Sequence, residues 1–196
     1  MASKIKVDQL ETADGTGTIA LQNQLSGMTT ASLPTLTATE MPTGSVLQVK
    51  QHFLTDTTSS SSATFTASGL SVTITPSSTS SKILVMMNVS LTINEGTWQL
   101  RFVRNSTPIG VGDSSGSRVQ TTVGGFHPTS DGNHQSNPTS AQYLDSPNTT
   151  SATTYIVQFK AQSGKTMYLN RSSNDANNSD WSHRSTSSIT VMEIAG

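Results

Sequence analysis

The chain has 196 residues, no cysteine, and a formal charge of −1 from 11 Lys+Arg against 12 Asp+Glu. That excludes disulfides, zinc ribbons, thiol catalysis and iron–sulfur ligation, and it leaves no basic footprint for general binding of nucleic acid. Ser and Thr supply 63 of the residues and charged types only 12%, so the exterior is hydroxyl-rich and suits strands and turns better than helices.

The length allows one ordinary domain plus an extension, with a core that needs no metal or disulfide staple. The opening MASKIKVDQL lacks a signal-peptide apolar core, and no run of 18 apolar residues occurs, so no membrane insertion is expected. Residues 1–45 differ from the rest. Ile5 and Val7, then Ile19 and Leu21, form two short alternating pieces around Asp14-Gly15 and Gly17, the pattern of a small strand–turn–strand element. LQNQLSGMTTASLPTLTATEMPTG follows, with Pro34, Pro42 and too few apolar positions for a core; it reads as a linker or a segment ordered only against a partner.

From Ser45 the pattern is steadily β. A strand is predicted at Val46–Phe53, and in GLSVTITP the residues Leu70, Val72 and Ile74 alternate with Ser71, Thr73 and Thr75, so one face is buried and the other wet. In SKILVMMNVSLTI, the residues Ile83, Val85, Met87, Val89, Leu91 and Ile93 make an unbroken apolar face. The opposite face begins with Leu84 and Met86 and turns polar at Asn88, Ser90 and Thr92. A strand apolar on both sides at one end has neighbours on both sides there, which marks Leu84 and Met86 as candidate oligomer-interface residues. Further strands are predicted at Trp98–Arg104, with Trp98 in the core, and at Ser117–Val123, Ala141–Asp145, Thr153–Ala161, Thr166–Arg171 and Ser187–Ile194. Eight or nine short strands between Gly, Pro, Asn and Ser loops predict an all-β, antiparallel β-sandwich of jelly-roll type over 46–196, preceded by an extended N-terminal arm.

SGKT at 163–166 ends like a phosphate loop, but G-x-x-x-x-G-K-[ST] needs a glycine at 159, which is Phe159. No helix signal follows, so the segment reads as a hairpin tip between strands. Two polar stretches, Gly124–Ser140 and Ser172–Arg184, are long enough to be functional loops. His127, Asp131 and His134 lie in the first, at spacings that fix no metal geometry. Asp175 and Asp180 in the second do not meet the calcium-loop pattern. No metal or cofactor is expected. Without a G-x-S-x-G elbow or a paired acid constellation, no enzymatic activity is expected either. The N-x-[ST] sequons at Asn88, Asn105, Asn148, Asn170 and Asn177 follow from the Ser/Thr content. Trp181, His183 and Arg184, with Phe126 and His127, are aromatic and planar cationic groups among small polar ones, which is what a receptor-binding surface uses. Trp181 equally suits an anchor pinning its loop to the sandwich.

SKIKVDQLETADGTGTIALQNQLSGMT resembles the N-terminal segment of small virion proteins of tailed phages, particularly marine ones infecting cyanobacteria. GSVLQVKQHF, SSKILVMMNVSL, YLDSPNTTSATTYIVQF, MYLNRS and SSITVMEIAG resemble the C-terminal domain of their fibre proteins, in the same order along nearly the whole chain. The resemblance implies a virion structural protein whose β-domain trimerises like the tumour-necrosis-factor jelly roll. Its arm, through Ile5, Val7, Ile19 and Leu21, would attach to other virion proteins of the tail or capsid. A homotrimeric tail fibre or spike that recognises a host surface glycan is the first expectation. A capsid-bound head fibre or decoration protein and a free carbohydrate-binding module are the alternatives.

Overall fold

The computed structural model describes residues 40–128 and 136–196. The attachment residues Ile5, Val7, Ile19 and Leu21, and the loop residues Asp131 and His134, lie outside these. Among the described residues the chain is all-β. The strands are β1 (Val46–Leu54), β2 (Thr58–Ser60), β3 (Thr66–Ile74), β4 (Lys82–Ile93), β5 (Gly96–Arg104), β6 (Thr107–Ile109), β7 (Val123–His127), β8 (Asn137–Asp145), β9 (Thr153–Ala161), β10 (Met167–Leu169) and β11 (Ser187–Ile194). All pairings are antiparallel.

One sheet runs β1-β11-β4, with β8 on the far side of β4 and the short β10 and β2 extending it. The other runs β3-β9-β5, and both β6 and β7 pair with β5. With the three short strands set aside, β1-β11-β4-β8 faces β3-β9-β5-β7, the strand order of a jelly roll. Every apolar residue on the predicted inner face of β4, from Ile83 to Ile93, is at most 2% exposed. It packs against Leu70, Val72 and Ile74 of β3, Trp98, Leu100 and Phe102 of β5, and Tyr155, Val157 and Phe159 of β9. Burial of this set is the dominant favourable contribution to the fold, at about 25 cal/mol per Å² of apolar surface removed from water.

Polar bridges tie the two sheets together at both margins. On one side the Gln48 side-chain amide donates to Thr75 O at 2.8 Å, and the Ser71 N–H donates to His52 Nδ1 at 3.3 Å. On the other, Arg104 Nη1 donates to both carboxylate oxygens of Asp145 at 2.9 and 3.0 Å, and the Tyr155 hydroxyl donates to the same carboxylate at 2.7 Å. Burial and then the Asp145 hydrogen bond push the Tyr155 phenol far above its ordinary value, so it stays a donor. A third cluster closes one end of the sandwich. Glu193 is fully buried and accepts from Ser77 N, Ser77 Oγ, Ser81 Oγ and Gln48 Nε2 at 2.6–2.7 Å. Gly44 and Ser45 bond to Ala195 at the same end.

Four expectations are corrected. Residues 117–122 form no strand: the Thr121 hydroxyl and Thr122 N–H donate to Leu100 O, and the Phe102 N–H donates to the Thr122 hydroxyl, so side chains replace a ladder there. The described residues of the stretch 124–140 are mostly strand, because 124–127 belong to β7 and 137–140 to β8. SGKT does turn the chain, with Gly164 at φ +75° and the Lys165 N–H on Gln162 O. Yet it carries the chain from β9 in one sheet to β10 in the other, so it is a crossover and not a hairpin tip. Finally, the short β2 and β6 were not expected, since TSS and TPI carry no apolar alternation.

Candidate functional site

After β10 the chain makes an excursion over 172–183 and returns through an isolated bridge between Arg171 and Arg184. It lies at the end where β11 starts, opposite Gly44 and Ser45. Its base is built on Asn170, which is fully buried at φ +60°. The Asn170 side-chain amide donates to Leu54 O at 2.9 Å and Asp56 O at 2.8 Å, and its Oδ1 accepts from the Ser187 hydroxyl at 2.6 Å. The Asn170 N–H donates to Ser90 O, and its carbonyl accepts from the Ser185 N–H. One residue therefore joins β1, β4 and β11 beneath the loop.

Above that base, Arg184 donates to Asp175 Oδ1, and Arg171 lies 3.7 Å from Asp175 Oδ2. The Arg184 hydrogen bond holds the Asp175 carboxyl below its ordinary range, and the same bond raises the guanidinium. Arg171 also lies over the Tyr168 ring, 4.3 Å from its centroid. The loop is shaped by Asp180 N–H to Asn178 Oδ1 at 2.8 Å and by Ser182 N–H to Asn178 O. It encloses an open cavity of about 400 Å³ lined by Asp175, Ala176, Asn177, Asn178, Ser179, Ser182, His183 and Arg184. His183 Nε2 is out of water with no hydrogen-bond partner. Trp181, next to the lining residue Ser182, is 51% exposed.

Of the five residues expected to form one receptor surface, Trp181, His183 and Arg184 share this loop. Phe126 and His127 do not join them: both belong to β7, on the other sheet, and pair with Thr97 and Gly96. Phe126 is exposed but His127 is buried, which removes His127 from any binding surface. Arg184 is not a bare cation awaiting an anion, because Asp175 already pairs with it. Asn170 was overlooked in the sequence; the clue is that asparagine is among the few residues that tolerate left-handed backbone, and Asn105 and Asn148 do the same. Among the described residues no group of three or more His, Asp or Glu side chains is placed to hold a metal.

A second surface lies on the outer face of the first sheet. Register puts Leu84 of β4 beside Leu144 of β8 and Met192 of β11, and Met192 beside Val49 of β1. Leu144 and Val49 are 54% and 53% exposed, with Val46 at 51%. Leu84, Met86, Met192 and Ile194 are half-buried. Toward the other end the same face turns to Gln142, Thr190, Ser140, Asn88 and Ser188, around a shallow groove of about 560 Å³. The apolar half is the half next to Ser45 and Ala195. No protein-family model and no curated protein sequence matches the chain.

Proposed function

We propose that this chain is a non-enzymatic virion structural protein: a phage tail-fibre or spike subunit that trimerises through the outer face of its first sheet and is attached by residues 1–45. The observation that carries the assembly is the contiguous apolar set Leu84, Met86, Leu144, Met192, Val49 and Ile194 on a sheet face that nothing in the described chain covers. Soluble monomers rarely leave such a patch on a sheet, and self-association is a common way of burying it. The virion setting and the trimeric state rest on the resemblance of SKIKVDQLETADGTGTIALQNQLSGMT and the strand segments to phage fibre proteins. The non-enzymatic reading is supported by the buried acids: Asp145 and Glu193 have their oxygens engaged by structural hydrogen bonds.

Sedimentation equilibrium of the full chain at micromolar concentration tests the assembly. A trimer is expected for the wild type and a folded monomer for Leu84→Asp, which places a carboxylate at the centre of the patch. A monomeric wild type overturns the reading. Deleting residues 1–45 is expected to abolish incorporation into phage particles without unfolding the β-domain. Locating the chain in a particle map separates a tail fibre from a capsid decoration protein.

A further inference from the structure

The cavity of the 172–184 loop has the make-up of a ligand site and no structural task in the sandwich. Its base is tied to β1, β4 and β11 through Asn170, and an anchored loop lowers the entropic cost of binding. Its volume of about 400 Å³ is in the range that takes a small ligand. The walls are amides, hydroxyls, one imidazole and one ion pair, with a single alanine.

The chemistry of the walls narrows the ligand class. Arg184 and Asp175 pair with each other, so the lining itself presents a donor fork beside a carboxylate acceptor of opposite charge, with the Arg171 guanidinium 3.7 Å from the same carboxylate. An anion would have to displace Asp175 from the guanidinium. Adjacent hydroxyl groups, each both donor and acceptor, can bridge the pair without separating it. Trp181, next to the lining residue Ser182, is half-exposed on the same loop, and an indole is the kind of group that stacks on the apolar face of a pyranose ring.

We propose that this loop binds a neutral saccharide: vicinal hydroxyls sit on the Arg184–Asp175 pair and the sugar ring packs on Trp181. The appendage reading supplies the biological setting, a host surface glycan met by the end of the β-domain opposite Gly44 and Ser45. The binding itself rests on the loop.

The test is titration of the isotopically labelled full chain with the methyl glycosides of glucose, galactose, mannose and N-acetylglucosamine, followed by amide and indole NMR resonances. N-acetylneuraminic acid is the anionic comparison. At least one neutral glycoside is expected to move the resonances of 175–184 and the Trp181 indole, with a Kd of millimolar order. Trp181→Ala is expected to weaken binding about tenfold or more. Asp175→Asn should do likewise, and Asn177→Ala gives a second lining variant that leaves the ion pair in place; thermal melting confirms that each variant is folded. Four still titrations, or binding of the acid alone with Asp175→Asn tightening it, overturn the proposal. Sedimentation keeps the two readings apart: a trimer whose loop resonances stay still loses the cavity and keeps the appendage. A monomer that binds a glycoside loses the appendage and keeps the cavity.

Discussion

At Asn170 five polar contacts and a left-handed backbone meet in one buried residue. Asn170→Ala removes three side-chain hydrogen bonds, strands the Leu54 and Asp56 carbonyls, and leaves a β-carbon at positive φ without local compensation. A loss of about 3–5 kcal/mol is expected by denaturant unfolding. Asn170→Gly should lose about 1 kcal/mol less, because glycine accepts that backbone freely. Equal losses in the two variants would show that φ carries no strain there. Glu193 is the second residue of this kind. Burial alone would raise its pKa, but the hydrogen bonds from Ser77, Gln48 and Ser81 outweigh it and lower the value below the ordinary 4.5. A depressed folded value means that the stabilisation is present in full above the unfolded value and is lost as the pH falls through the folded one. Wild-type stability is therefore expected to fall as the pH drops below about 4.5. Glu193→Gln should be less stable at pH 7 and lack that part of the acid dependence. Parallel curves for the two proteins below pH 5 would contradict it.

At the scale of elements, period-two alternation made β3, β4, β9 and β11 legible, because each buries one face against the opposite sheet. β7 escaped for a physical reason. Its Gly124-Gly125 looks like a loop, yet Gly125 is where the edge strand passes over Trp98, and a β-carbon there would lie 2.5 Å from the indole. The beginning of β8 escaped because Pro138 argues against a strand; β8 pairs with β4 on one side only, and an edge strand tolerates proline. Gly125→Val should destabilise the domain by about 1–3 kcal/mol through overpacking and shift the Trp98 emission, read in a Trp181→Phe background so that one indole reports. An unchanged spectrum and melting point would mean that β7 does not press on Trp98. The loop site was legible in part. Its residue types stood out, but the pairing of Asp175 with Arg184, the separation of Phe126 and the burial of His127 depend on contacts that no local pattern encodes.

At the scale of the molecule, the outer face of the first sheet divides along its strands. Its apolar half lies beside Ser45 and Ala195, and its polar half lies toward the 172–184 loop. The proposed packing of copies on the apolar half would bring the Ser45 ends of the β-domains together and leave the 172–184 loops exposed, which suits an appendage. If folding and assembly are coupled in this way, the melting temperature must depend on protein concentration, because association stabilises the folded chain by mass action. Wild-type protein is expected to melt higher by several degrees when its concentration is raised about a hundredfold, since association worth about 2–3 kcal/mol moves a domain of this size by roughly that much. Leu84→Asp should melt lower and show no concentration dependence, because a carboxylate between Leu144 and Met192 cannot be buried against a neighbour without a partner charge. Asn88→Asp, on the polar half of the same strand, is the matched control and should keep the wild-type dependence. If both variants lose it, the interface extends over the whole sheet face; if the wild type never had it, the apolar half is not a subunit contact.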